Sequence, residues 1–239
     1  MKIKRISKVA AIFMFVSTRV SAEPLLEGIL EEGTVTSNIV VLMTLLMLIP
    51  SMLIMMTGFT RIIIVLSFIR NALGLQQMPP NQVLIGMALI LTFFIMSPVI
   101  GEINDIAYKP YTENAITQQE AFDKAIVPIR QFMLRQTYGK DLNLFLDLAK
   151  KPVPETYDEI ETTVIIPAFI TSELKRAFQM GFFILIPFIV IDMIVSSTLM
   201  SMGMMMLPPT MISLPFKILL FVMVDGWGLT IKTLISSFG

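Results

Sequence analysis

Neither cysteine nor histidine occurs anywhere in the 239 residues. Without Cys there is no disulfide, no thiolate metal ligand and no thiol nucleophile. Without His the commonest general base and the commonest metal ligand are missing together. Charge is scarce too: Asp, Glu, Lys and Arg make up 15% of the chain, against about 25% in a soluble domain. The 18 basic and 18 acidic side chains cancel, and no basic patch with interleaved aromatics points to nucleic acid. P-loop, dinucleotide-binding and EF-hand signatures are absent from the sequence. Asp158, Glu159 and Glu161 read as a solvated acidic run rather than a metal site. A Ser172–Lys175 dyad is arithmetically possible, but nothing in the sequence holds its geometry. The expectation is therefore a non-enzyme, with no catalytic, cofactor-binding or metal residues and no cofactor.

What the chain does have is apolar length. Hydrophobic residues make up 55% and mean hydropathy is +0.78, the composition of a membrane protein. Lys2, Lys4, Arg5 and Lys8 precede a short apolar core at 9–16 and the small-residue site Val20-Ser21-Ala22. That order predicts a cleaved secretory leader over 1–22, since the apolar core falls short of the roughly 20 residues a spanning helix needs. A polar segment follows over 23–37.

Residues 38–101 read as a first hydrophobic hairpin. The run 39–59 carries no charge; Pro50-Ser51 predicts a kink, and one long helix is expected to continue to Arg70. The hairpin turn is assigned to Arg70, Asn71, Gly74, Pro79 and Pro80, where Gly and Pro-Pro stop the helix. A second apolar run, 83–100, is expected to end near Pro98 and Gly101. Residues 102–161 read as a small soluble helical insert. In it, 120–138 places Phe122, Ile126, Ile129 and Met133 on one stripe, and 141–150 forms a second short helix.

Residues 162–239 read as a second hydrophobic hairpin, interrupted at Ser172-Glu173-Leu174-Lys175-Arg176 and carrying Asp192, Lys217, Asp225 and Lys232. Asp225 and Lys232, seven apart, are expected on nearly one helix face. A charge at bilayer depth costs roughly 3 kcal/mol or more, so these groups need partners, protein or water around them. Between the two apolar arms lies Met202-Gly203-Met204-Met205-Met206-Leu207-Pro208-Pro209. Thioether side chains repack cheaply, so this turn is either a deformable lining or a methionine-rich helix end in a core. Loop charges alone place the first turn and the Met turn in the cytoplasm and the insert outside.

Residues 61–83 (RIIIVLSFIRNALGLQQMPPNQV), 167–181 (PAFITSELKRAFQMG), 204–209 (MMMLPP), Pro215-Phe216-Lys217-Ile218 and Asp225-Gly226-Trp227 together resemble the FliP family of flagellar type III export-gate proteins, and their injectisome relatives. The resemblance covers nearly all of the chain after residue 38. It implies an all-α integral-membrane export-gate subunit of two long kinked hairpins around the insert. It further implies a pentameric, helically arranged homo-oligomer wound with FliQ and FliR homologues. That cone sits in the bacterial inner membrane at the flagellar basal body and extends to the periplasmic side. FlhA- and FlhB-type export components, unfolded export substrates and membrane lipid are the further implied partners; nucleic acid is not. By the same resemblance Met204, Met205 and Met206 form a pore gasket, and Glu173, Lys175, Arg176, Lys217 and Asp225 are inter-subunit assembly charges. The rival from another class is a small-solute or ion transporter using Asp192, Asp225 and Lys232. A purely structural assembly factor is a third.

Overall fold

A computed structural model describes residues 54–75, 77–151, 156–204 and 207–239, together with Met43, Thr44, Met47 and Ser51. The expected leader, the polar segment, Pro50, Met205 and Met206 lie outside the described residues. The chain divides into two compact units, 1–55 and 56–239. In the first, Met43, Thr44, Met47, Ser51, Ile54 and Met55 are helical.

The second unit holds eight α-helices among its described residues: α1 (Phe59–Ala72), α2 (Asn81–Ile103), α3 (Lys109–Thr112), α4 (Gln118–Gln136), α5 (Gly139–Leu148), α6 (Thr162–Ser201), α7 (Pro209–Met223) and α8 (Gly226–Ser236). The π turn Asn104–Tyr108 joins α2 to α3 without a break. The all-α architecture agrees with the sequence reading. Two helical stretches, Asn81–Thr112 and Thr162–Ser201, are long and apolar enough to cross a membrane; α7 and α8 reach that standard only as a pair bent by 62°.

Local chemistry explains the boundaries. In α1, Arg61, Ile62, Val65, Leu66, Ile69 and Ala72 are buried, one stripe at helical spacing. The helix ends at Gly74, whose φ of +73° suits a residue without a Cβ. There the Gly74 N–H donates to the Asn71 carbonyl and the Leu75 N–H to the Arg70 carbonyl, a Schellman stop. Arg70 then ties the turn shut, donating to the Pro79 carbonyl (3.4 Å) and to Asn81 Oδ1 (2.6 Å). In the insert, Thr117 and Glu120 form a capping box that starts α4.

The expected long first helix is broken at Met56-Thr57-Gly58, where a Cβ on Gly58 would stand 2.7 Å from the Phe238 ring. The second apolar run does not end at Pro98 or Gly101; the helix passes both and continues through the π turn to Thr112. Nor is the second hairpin interrupted at Ser172–Arg176: α6 is one 40-residue helix containing Pro167 and Pro187. Asp225 stands outside any helix face, in left-handed geometry (φ 48°, ψ 55°), capping α8. Met133 is buried as expected and Ile126 and Ile129 are partly so, but Phe122 is exposed.

Two apolar clusters make the core. One gathers Phe132, Met133, Leu142 and Leu146 of the insert against Val164, Ile165, Ala168 and Phe169 of α6 and the end of α2. The other packs α1 against Leu84 and Ala88 of α2, Ala177 and Phe188 of α6, Phe221 of α7 and Leu234 of α8. Phe238 packs against both. Where α1 crosses α6, a Cβ on Gly181 would meet the Phe68 ring at 2.5 Å, so only glycine allows that approach.

Candidate functional site

A charged knot lies in the protein interior. Arg61 on α1 and Glu173 on α6 are both fully buried and form an ion pair. Arg61 Nε donates to Glu173 Oε2 at 3.0 Å and Nη2 to the other carboxylate oxygen. Nη2 also donates to Gln136 Oε1 (3.0 Å), and Nη1 to the Ser237 carbonyl (2.9 Å) and Oγ (2.8 Å). The guanidinium lies 3.8 Å from the centroid of the Phe238 ring, a desolvated cation–π contact. A guanidinium offers five N–H donors in a fixed fork, and here the fork joins α1, α4, α6 and the segment after α8.

A second polar contact fastens the insert to α6. Asp141 on α5 accepts from Ser172 Oγ (2.8 Å) and pairs with Lys175; Ser172 in turn accepts the Tyr138 N–H (3.0 Å). Burial opposes ionisation of Asp141. The hydrogen bonds from Lys175 and Ser172 and the Lys175 charge outweigh it and hold the carboxyl below the usual carboxylate range. Ser172 is therefore a buried structural hydroxyl with Asp141 between it and Lys175, not half of a dyad. Arg176 lies over the Tyr138 ring, 4.5 Å from its centroid.

A third contact closes the second hairpin. Asp192 on α6 accepts from Ser213 Oγ and from Lys217 Nζ on α7, both at 2.6 Å, and Lys217 is almost wholly buried. Toward the Met turn the same pair of helices opens a cleft of about 450 Å³ lined by Ile194, Thr198, Leu199, Ile212 and Phe216 among others.

The methionine turn begins with a second Schellman stop. Gly203 (φ +74°) donates to the Met200 carbonyl, and the Met204 N–H to the Leu199 carbonyl. Met200, Met202, Met204, Leu207 and Met211 are exposed. The described part of the turn thus presents thioethers outward from the subunit.

The residues singled out by sequence separate into groups. Glu173, Lys175 and Lys217 each take a partner within the chain: Arg61, Asp141 and Asp192. Asp225 accepts the Gly228 N–H as a helix cap. Asp192 takes Ser213 and Lys217 as its partners, rather than Asp225 or Lys232. Sequence reasoning missed Arg61, Gln136, Asp141, Ser237 and Phe238. One signal was available: Arg61 and Glu173 are opposite charges in apolar runs, and each needs a buried partner.

The FliP family profile matches residues 42–234. Among relatives, the flagellar biosynthetic protein FliP of Bacillus subtilis (strain 168) is 57% identical over 208 residues, covering 87% of this chain and 94% of its own length. The protein of that name from Pectobacterium carotovorum subsp. carotovorum is 51% identical over 208 residues, covering 87% and 81%. That from Treponema pallidum (strain Nichols) is 52% identical over 203 residues, covering 84% and 75%.

Proposed function

The chain belongs to the FliP family, and on that premise we propose that it is a core subunit of the flagellar protein-export gate. In this reading several copies, with FliQ and FliR homologues, line a channel for unfolded flagellar proteins across the bacterial inner membrane, with part of the assembly on the periplasmic side. FlhA- and FlhB-type export components are further partners in this reading. The leader over 1–22 is removed, the hairpins at 38–101 and 162–239 build the wall, and the insert at 102–161 stands outside the membrane. Met204, Met205 and Met206 close the pore.

The observation that carries this reading is apolar surface left uncovered in the subunit. On α6, Phe178, Phe182, Phe183, Met193 and Ile194 are exposed, and that surface leads into exposed Met200, Met202 and Met204. Contiguous apolar surface on this scale calls for lipid or neighbouring subunits. Methionine supports the gating role because a flexible, polarizable side chain can close over an empty passage and mould around varied substrates; apolar constrictions also gate by dewetting. The charges named as assembly determinants act first inside the subunit, holding the shape that its neighbours receive.

Replacing Met204, Met205 and Met206 together with Gly tests the gate. The assembled complex is expected to form at normal yield and to pass ions at rest, read as membrane conductance. An ion-tight mutant complex would remove the gasket from the mechanism. With no native Cys, Met205→Cys adds a clean reporter: shielded at rest, and cross-linked to an arrested export substrate.

A further inference from the structure

The knot is assembled from parts far apart in the chain. Arg61 donates to Ser237, 176 residues later, and Gln136 Nε2 donates to the Phe238 carbonyl, 102 residues later, at 3.0 Å. The Phe238 ring stacks on Phe132 of the insert (6.2 Å between centroids, 16° between planes) and covers the Arg61 guanidinium. It fills the space over Gly58, where any side chain would collide with it. Phe238 is also among the few residues packed against both apolar clusters.

We infer that Ser237-Phe238 is a strap whose docking completes the insert and couples it to the hairpins. Undocked, Arg61 Nη1 loses both of its acceptors, the Gln136 amide loses one, and the Phe132 face of the insert core lies open. Each buried donor left without an acceptor is costly, so the clusters close together or not at all. The strap follows the insert and α1–α8 in the chain, so it is translated after them. The insert therefore has its full complement of sequence long before it has its native packing, and only a chain translated through Phe238 presents a finished insert. This inference concerns the subunit's own folding and stands apart from the channel reading.

Hydrogen exchange on the full chain in detergent micelles tests it, comparing the native protein with Phe238→Ala. As a control, Phe122→Ala removes an exposed ring from the same insert. Coupling predicts that Phe238→Ala speeds exchange about tenfold or more in α5, which is tied to α6 through Asp141, while Phe122→Ala leaves α5 unchanged. Faster exchange confined to residues 58–61, 132–136 and 234–238 would reduce the strap to a local contact and overturn the inference. Should Phe238→Ala not accumulate, Phe238→Leu, which keeps apolar volume and loses the aromatic face, is read against the same two outcomes.

Discussion

Arg61 and Glu173 form a fully buried ion pair, and their burial sets the sign of what mutation does. Taking two charges out of water is expensive, and attraction repays it only when both partners are present. Glu173→Leu or Arg61→Met alone strands the other charge and is expected to cost about 3–5 kcal/mol, read as loss of folded protein recovered from membranes. The double substitution Arg61→Met with Glu173→Leu should recover part of that loss; a double mutant as damaged as the sum of the singles would contradict this. Asp141 makes a pH prediction. Its carboxyl is held below the ordinary value near 3.9, so the contact with Ser172 and Lys175 is fully present above that pH. It is lost as pH falls through the depressed value, because the unfolded chain then binds the proton first. Lys175 is half-exposed, so the effect is modest. Thermal unfolding followed from pH 7 to pH 3 should show Asp141→Asn less stable at neutral pH and less sensitive to acid.

At the scale of elements, glycine separates two kinds of close fit. Gly203 has open space around it but a left-handed backbone, so Gly203→Ala costs strain alone, roughly 1–2 kcal/mol. Gly181 has ordinary helical geometry, but its added methyl would meet Phe68, an overpacking cost of about 1–3 kcal/mol at the α1–α6 crossing. Gly86 sits in α2 with nothing within 4 Å, and Gly86→Ala is expected to gain about 0.5–1 kcal/mol. Thermal melts of the three variants in one detergent check the order. Apolar length and turn chemistry made several elements legible: α1 stops before Gly74 and α2 starts after Pro79-Pro80, while α6 stops before Gly203 and α7 starts after Pro208. Two of the failures share one cause, since sequence reads Pro or charge in an apolar run as an ending. α2 passes Pro98 and α6 passes Pro167 and Pro187, as helices packed among others can when neighbours re-satisfy the freed backbone groups. Glu173 sits in mid-helix because Arg61, 112 residues away, neutralises it, and no local pattern carries that information. Phe122 was placed on the core stripe by periodicity, but it lies near the start of α4, while the buried Phe132 and Met133 lie near its end.

Across the whole molecule, apolar surface is divided unequally. The insert and the first half of α6 send Phe132, Met133, Leu142, Leu146, Ile165 and Phe169 into the core, whereas most large side chains in the second half of α6 and much of α7 are exposed. A single Cys replacing Phe183 should react readily with a membrane-permeant maleimide in the isolated subunit and be protected in the assembled gate. One replacing Ala177 should be protected in both. Equal reactivity of the Phe183 position in both states would leave that surface without a neighbour. The helix from Asn81 to Thr112 sets one further relation between the parts. Its π turn at Asn104–Tyr108 holds a residue more than an α-helical turn would, and each α-helical residue is worth about 100° of rotation. The π turn therefore absorbs one residue between the spanning helix and the insert without changing the direction in which the insert faces. Deleting one residue from the π turn would restore a continuous α-helix and leave Lys109 and everything after it facing nearly as before, whereas the same deletion within α2 would turn all that follows by about 100°.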